Sequence, residues 1–382
     1  VTGTEFLETL WREALRAVDP ERLVREFLLR HPPRSGARRG LFACGKAAVA
    51  MASGAFGTVR FDEILLVAPH GSAAPGALSG SVLLASHPEP DRSSVAAARA
   101  ALDFFGRFGS GDEMVALVSG GTSSLLSLPR EAWTLAAKRS KIRRAMRDGW
   151  PIERLNRLRI SLSRVKGGRL AEATAARVTT LVLSDVPGSD FRIVGSAPTV
   201  SSRKPGDRAF RVGDNRTGLA AAAAAAISRG ASVAVDRQPL AGEASEAGRE
   251  FARRLRRHAG RRPGPFVLLA GGETTVSLSG RAGVGGRNQE AALAAAIEIA
   301  GESGLAVLAA GSDGIDGNSV NAGASVDGKT IERAESRGLD SVAFLGRHDS
   351  ASFFAGAGGA FRTGPTGTNV ADWWFGYADP ER

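Results

Sequence analysis

Met114-Val115-Ala116-Leu117-Val118 runs straight into Ser119-Gly120-Gly121-Thr122-Ser123-Ser124, and the rest of the chain repeats that transition. An apolar run without alternation predicts a strand buried on both faces. The small polar residues after it predict a loop whose successive N–H groups form an anion-binding nest. The same step recurs at residues 41–44 into Gly45-Lys46, and at 180–183 into Ser184-Asp185-Val186-Pro187-Gly188. It returns at 267–270 into Gly271-Gly272-Glu273-Thr274-Thr275, and at 305–309 into Gly311-Ser312-Asp313-Gly314-Ile315-Asp316-Gly317. Ala-rich helix-forming stretches follow the bursts. Strand, loop and helix in repetition is the signature of a doubly wound α/β fold, which gathers its loops at the carboxyl edge of the sheet, where ligands bind.

A chain of 382 residues is long enough for two domains of roughly 150 residues each. The GRRPGP string at 260–265 suggests the division. It gives an N-terminal unit over 1–236, a C-terminal unit over 262–382, and a connecting helix and linker over 237–261 that belongs to neither by sequence alone. With 43% hydrophobic and 23% charged residues, wholesale disorder and fibrous architectures are excluded. The longest apolar stretch, 219–227, is nine residues and mostly Ala, far short of a membrane span. The opening VTGTEFLETLWREALRAVDPERL carries acids throughout and reads as neither signal nor transit peptide. Cys44 is the single cysteine, which excludes intramolecular disulfides and multi-cysteine metal sites. These features lead to the expectation of a soluble, cytoplasmic protein with no membrane partner.

The net charge of +11 is concentrated. From Lys138 to Arg169, twelve Lys or Arg face only Asp148 and Glu153. A second cluster comprises Arg253, Arg254, Arg256, Arg257, Arg261 and Arg262. Aromatic residues are 6% of the chain and only Trp150 interrupts the basic runs, so no base-stacking platform is visible. The charge argues for small anionic ligands rather than nucleic acid.

Gly40 to Lys46 has the spacing of a phosphate-binding P-loop, but apolar strand residues fill the cradle and Ala47 replaces the magnesium-binding hydroxyl. What survives is Lys46 at a predicted helix start directly after a strand, where N–H groups and an ammonium can share one phosphate. Gly283-Val284-Gly285-Gly286-Arg287-Asn288 is the nearest string to a dinucleotide fingerprint, and Asn288 stands where its third glycine belongs. Asp313 and Asp316 flank Gly314 in a glycine-rich loop, and hard carboxylates there suit Mg²⁺ with phosphate oxygens. The histidines show no metal spacing and no nucleophile elbow occurs. Trp373-Trp374 reads as a docking contact.

In order, Gly45-Lys46-Ala47-Ala48, His87-Pro88-Glu89-Pro90-Asp91, Ser119 to Leu126, Lys166-Gly167-Gly168-Arg169, Ser184 to Gly188, Gly271 to Thr275, Gly285 to Glu290, Asp313 to Gly317 and Thr363 to Val370 resemble the motifs of the glycerate 2-kinase family. Its C-terminal half is called the MOFRL domain, and its members were long labelled hydroxypyruvate reductases. The resemblance runs from about residue 8 to 374. It implies two α/β/α, Rossmann-like domains with the active site in the cleft between them. It also implies transfer of the γ-phosphoryl of ATP to the 2-hydroxyl of D-glycerate with Mg²⁺. On that resemblance Lys46 and Arg287 serve the transferring group, Asp185 accepts the hydroxyl proton, and Asp313 with Asp316 holds Mg²⁺. Gly45, Ser119, Gly120, Gly121, Thr122, Ser123, Arg159, Lys166, Glu273, Thr274 and Asn288 are the expected substrate and nucleotide contacts; which loop holds which ligand is left open. Ile160 and Ser161 stand where the family has Lys and His, and Asn318-Ser319-Val320 replaces its Pro-Thr-Asp. These departures leave a kinase for another small hydroxy acid, or a silent anion-binding relative, as alternatives.

Overall fold

A computed structural model describes every residue except 1, 35, 74–75, 80–81, 151, 187–189, 260–263, 279, 281 and 380–382, and leaves out the side chains of 79, 152, 153 and 259. Pro187, Gly188, Arg261, Arg262 and most of the GRRPGP string therefore lie outside the described residues. Among the described residues the chain forms two six-stranded sheets.

The first sheet contains β1 (Arg39–Cys44), β2 (Glu63–Pro69), β3 (Val82–Ala85), β4 (Glu113–Val118), β5 (Arg177–Leu183) and β6 (Arg208–Gly213). All neighbours are parallel in the order β3-β2-β1-β4-β5-β6. That order reverses direction between β1 and β4, which opens a crevice at their carboxyl ends. Cys44 pairs with Val118 at the last register position, so Gly45 and Ser119 emerge side by side.

The second sheet contains β7 (Ser232–Val235), β8 (Phe266–Gly272), β9 (Leu305–Gly311), β10 (Gly323–Asp327), β11 (Ala360–Phe361) and β12 (Asp372–Ala378). Its order is β11-β10-β9-β12-β8-β7. Only β7 and β8 pair in parallel; β12 runs antiparallel between β8 and β9, as does β10 beside β9. The expectation of buried strands holds, because β8, β9 and β12 are buried at every position. Their apolar runs reported burial on both faces and carried no information on direction. The antiparallel insertion has a consequence for the site: the carboxyl ends of β8 and β9 meet the amino end of β12 at one edge.

Trp373 and Trp374 lie within β12 rather than in a surface contact. The Trp373 indole donates to Asn215 O at 3.1 Å, and Trp374 Nε1 donates to Asn288 Oδ1 at 2.9 Å. Helices Ala244–Ala259 and Arg287–Glu298 cover one face of the second sheet. Helices Gly3–Ala17 and Asn215–Ile227 cover the other.

Of the expected units 1–236 and 262–382, the first sends its first helix, the helix Asn215–Ile227 and β7 to the second sheet. The first helix buries Leu7, Leu10, Trp11 and Ala14, and Trp11 meets Trp373 and Phe361 edge to face. Helix Asn215–Ile227 and β7 also belong to the second sheet's surroundings. Apolar faces pair by complementarity, not by chain order. One continuous core runs from Leu41 and Leu181 under the first sheet to Leu269, Leu308 and Phe375 under the second.

Candidate active site

Gly45 and Lys46 leave β1 in a turn, and the helix Ala48–Phe56 starts only at Ala48, so Lys46 stands just before it. Gly45 adopts φ 130°, and a Cβ there would run into the Ser119 side chain and backbone. Lys46 N donates to Gly120 O at 2.8 Å, and Ala47 N donates to Ser119 Oγ at 3.1 Å. Thr122 Oγ1 donates to Cys44 O and Ser119 O, both at 2.8 Å. The Ser119 and Thr122 side chains, expected as ligand contacts, are thus occupied in holding two loops together. The N–H groups of Gly120 and Gly121 have no acceptor among the described residues, in keeping with the expected nest.

Lys46 reaches across to the second sheet. Its Nζ lies 2.8 Å from Asp313 Oδ2, beyond the end of β9. Asp185, after β5, approaches Gly120 so closely that a Cβ at 120 would overlap its Oδ2 and press on Asn369 Nδ2. Arg287 opens the helix Arg287–Glu298. It grips Asp372 with Nε at 2.6 Å and Nη2 at 3.0 Å, and Glu273 with Nη1 at 2.8 Å. Lys46, Asp185, Glu273, Arg287 and Asp313 therefore share one cleft between the two sheet edges.

The cleft perturbs its ionisable groups. Burial raises the Asp185 carboxyl to about 6, Glu273 adds to the rise, and Lys46 opposes it. Glu273, whose side chain is 54% exposed, is also raised, by partial desolvation in the cleft; Arg287 pulls it back, while Asp372 and Asp313 push it further. Burial disfavours the Arg287 charge, but Asp372 and Glu273 outweigh it and hold the guanidinium above its ordinary range. His87, beside Gly121, is lowered to about 4 by burial and by Lys46, and is neutral at pH 7. Asp313 and Glu273 are hard carboxylates on loops that face the same cleft beside Lys46 and Arg287, and such a pair fits Mg²⁺. Among the described residues no group of three or more His, Cys, Asp or Glu side chains is assembled as a metal cage; Mg²⁺ commonly takes only one or two carboxylates beside phosphate oxygens.

Two expected contacts have other duties. Asp316 accepts from Asn288 N at 3.0 Å, from Asn288 Nδ2 at 3.2 Å and from Gln289 N at 2.8 Å. It caps the helix Arg287–Glu298, whose N-cap residue Gly286 has no side chain to do so, a duty the expectation of a metal ligand did not include. Asn288 is buried between that carboxylate and Trp374, so it supports the helix rather than meeting a ligand. Lys166 is buried and donates to Ser123 O at 2.6 Å and Ser123 Oγ at 2.9 Å, while Arg159 Nη1 lies 3.4 Å from Asn156 Oδ1. Thr274 is buried with an unpartnered Oγ1 and lines a cavity of about 650 Å³ beside Arg287, with Glu273, Gly285, Glu290 and His348.

The structure adds Asp372, His87 and Asn369. Asp372 is a lone acid opening the apolar run DWWFGYA; an acid at the mouth of a buried strand was its one legible signal. Of the departures from the family motifs, Val320 is 74% exposed, Ser161 is exposed, and Ile160 lies against Gly167. The second arginine cluster is neutralised locally, Arg253 by Glu298, Arg254 by Asp236, Arg256 by Glu298 and Glu302, and Arg257 by Glu250.

Residues 6–229 match the family described as a domain of unknown function, DUF4147, and residues 266–372 match the MOFRL family. A D-glycerate 2-kinase of Thermotoga maritima is 32% identical over 94% of this chain and 95% of its own length. An Agrobacterium vitis protein with the provisional name hydroxypyruvate reductase is 35% identical over 97% of this chain and 94% of its own. The crystal structure of glycerate kinase from Thermotoga maritima superposes with a TM-score of 0.89 at 31% identity, covering 98% of this chain and 99% of that one. Two α/β units that meet at Lys46 and Asp313, and matches that span both units, agree: the chain belongs to the glycerate 2-kinase family, which joins a DUF4147 region to a MOFRL region.

Proposed function

We propose that the protein transfers the γ-phosphoryl group of ATP to the 2-hydroxyl of D-glycerate, giving 2-phosphoglycerate and ADP. The observation that carries this reading is the meeting of Lys46, Asp313, Asp185 and Arg287 in one cleft between two sheet edges. Phosphoryl transfer asks chiefly for positioning and charge neutralisation, and the cleft offers both. Asp185 Oδ accepts the hydroxyl proton; with a pKa of about 6 it is ionised at neutral pH and close enough to that pH to act as a base. Lys46 and Arg287 neutralise the oxygens of the group in flight, and the free N–H groups of Gly120 and Gly121 direct further positive charge toward it. Asp313 and Glu273 would hold Mg²⁺, which when bound withdraws charge from the phosphate oxygens. The cavity lined by Thr274 and His348 has the size of a small-ligand pocket and is our site for the rest of the nucleotide.

Among the described residues no helix is long and apolar enough to cross a membrane, and we place the enzyme in the cytoplasm, where ATP is available. Ile160 against Gly167, next to Lys166, favours a second reading in which another small 2-hydroxy acid replaces glycerate. Incubation with ATP, Mg²⁺ and D-glycerate, coupled to enolase, tests the proposal, because enolase consumes only the 2-phosphate. Product that enolase ignores, or NADH-dependent reduction of hydroxypyruvate by the pure protein, would overturn it.

A further inference from the structure

The basic tract between β4 and β5 contains two kinds of residue. Arg139 and Arg143 lie outside and share Glu89. Lys138 and Lys166 are buried, and Arg159 is partly buried beside them. Among the described residues no carboxylate pairs with any of these three. Burial drives the Lys166 ammonium well below its ordinary pKa, and the charges of Lys138 and Arg159 add to the effect. Enclosed cations with no counter-charge are stable in their charged form only with an anion beside them.

Hydrogen bonds tie this cluster to the turn that carries the chemistry. Ser123, which receives Lys166 through both O and Oγ, stands three positions after Gly120, the residue Asp185 touches. Ser123 Oγ is 3.3 Å from Ser196 Oγ, and Ser196 Oγ is 3.3 Å from Asn156 Oδ1, the acceptor of Arg159. Lys138 Nζ donates to Ser127 Oγ at 3.0 Å. Ser196 is buried and, like Ala197, sits in the left-handed region, at φ 63° and 53°. Such a backbone is costly for residues with a Cβ and persists only where its surroundings impose it. Here Gly167 N and Gly168 N donate to the Ser196 and Ala197 carbonyls, which fixes the Ser196 hydroxyl against Ser123.

We propose that Lys166, Arg159, Ser123 and Ser196 form the subsite that takes the carboxylate of the hydroxy-acid acceptor, with Lys138 adding its charge through Ser127. The identity of the acid rests on the kinase reading above. In a 2-hydroxy acid the reacting oxygen is two bonds from the carboxyl carbon, which suits an acid lying along the Gly120–Ser123 turn between Asp185 and Lys166. The cavity assigned to the nucleotide is built from segments after β8, at the other sheet. A neutral alcohol would leave the cations unpaired, so the subsite selects acids by penalising everything else.

The test uses the full chain with Arg159→Gln, Arg159→Lys and Lys166→Met, measured with ATP and either D-glycerate or glycerol. A lost charge-assisted hydrogen bond typically weakens binding by about 10- to 100-fold. Arg159→Gln should therefore raise the KM for D-glycerate by that factor, leave the KM for ATP unchanged, and lower the preference for D-glycerate over glycerol equally. Arg159→Lys should recover part of the loss. Lys166→Met should behave like Arg159→Gln; if its melting curve shows that it does not fold, Arg159→Gln decides alone. A rise in the KM for ATP with that for D-glycerate unmoved, or no change in either, overturns the subsite. If the wild type releases no ADP with D-glycerate, the kinase reading falls, and calorimetric titration with D-glycerate and D-lactate judges the subsite by itself. Binding that Arg159→Gln abolishes supports it, and absence of binding to both acids overturns it.

Discussion

Asp185 lies where burial and Glu273 disfavour its charge while Lys46 favours it, leaving a carboxyl that ionises near pH 6 rather than 3.8. A base works when deprotonated, so kcat should climb as pH rises through about 6 and level off above it. Asp185→Asn should remove that acid limb and lower kcat by about 10²- to 10⁴-fold. The raised pKa also means that the folded state holds a proton the unfolded chain releases between about pH 4 and 6, so stability declines as pH rises across that window. At pH 7 Asp185→Asn relieves a disfavoured charge, and its Tm should rise while turnover collapses. Asp316 and Asp313 divide in the opposite sense. Asp316→Ala, which removes a cap, should cost about 1–2 kcal/mol in denaturant unfolding and leave the Mg²⁺ requirement alone. Asp313→Asn should raise the Mg²⁺ concentration for half-maximal rate with little change in Tm. In the sequence Lys46, Asp185 and Asp313 follow buried strands and Arg287 stands beside glycine, but their expected roles came from the family resemblance. The sequence did not separate Asp316 from Asp313, because an acid in a glycine loop looks alike whether it faces a cleft or accepts from backbone N–H groups.

At the scale of elements, the five apolar runs singled out in the sequence are β1, β4, β5, β8 and β9, the strands whose ends build the cleft. β12 was not legible. Its DWWFGYA lacks a Gly-Ser burst after it, and only the finished sheet shows that it separates β8 from β9 and brings Asp372 to Arg287. The helix Asn215–Ile227 lies so close to β12 that a Cβ at Gly218 would overlap the Trp373 ring. Gly218→Ala, normally favourable within a helix, should therefore destabilise by about 1–3 kcal/mol through overpacking, read as a lower denaturant midpoint.

Across the whole molecule, Lys46 belongs to the first sheet and Arg287 to the second, and both act on Glu273 in the cleft. Lys46→Ala and Arg287→Ala should each lower kcat by about 10²-fold or more, with little movement in Tm for Lys46→Ala because the Lys46–Asp313 pair is partly exposed. The double variant should lose less than the product of the two. The paired-domain architecture was legible from repeated strand-loop-helix steps. The packing of the first helix on the second sheet was not, because linear order hides which apolar faces meet. Leu7, Leu10 and Trp11 announce an amphipathic helix, but nothing local says that its partners are Phe361 and Trp373.

That first helix imposes an order on biosynthesis. Thr368 Oγ1 donates to Val18 O at 3.2 Å across 350 residues of chain, and the helix's aromatic neighbours on β12 leave the ribosome long after the helix itself. During translation the helix can meet Asn215–Ile227 first, but the part of the Trp11 face that packs on Phe361 and Trp373 waits until β11 and β12 have been made. Contacts closed over so long a loop form late and slowly, and chains in that interval expose apolar surface to one another. A chain released before β12 would carry a complete first sheet and still lack the surface its own beginning needs.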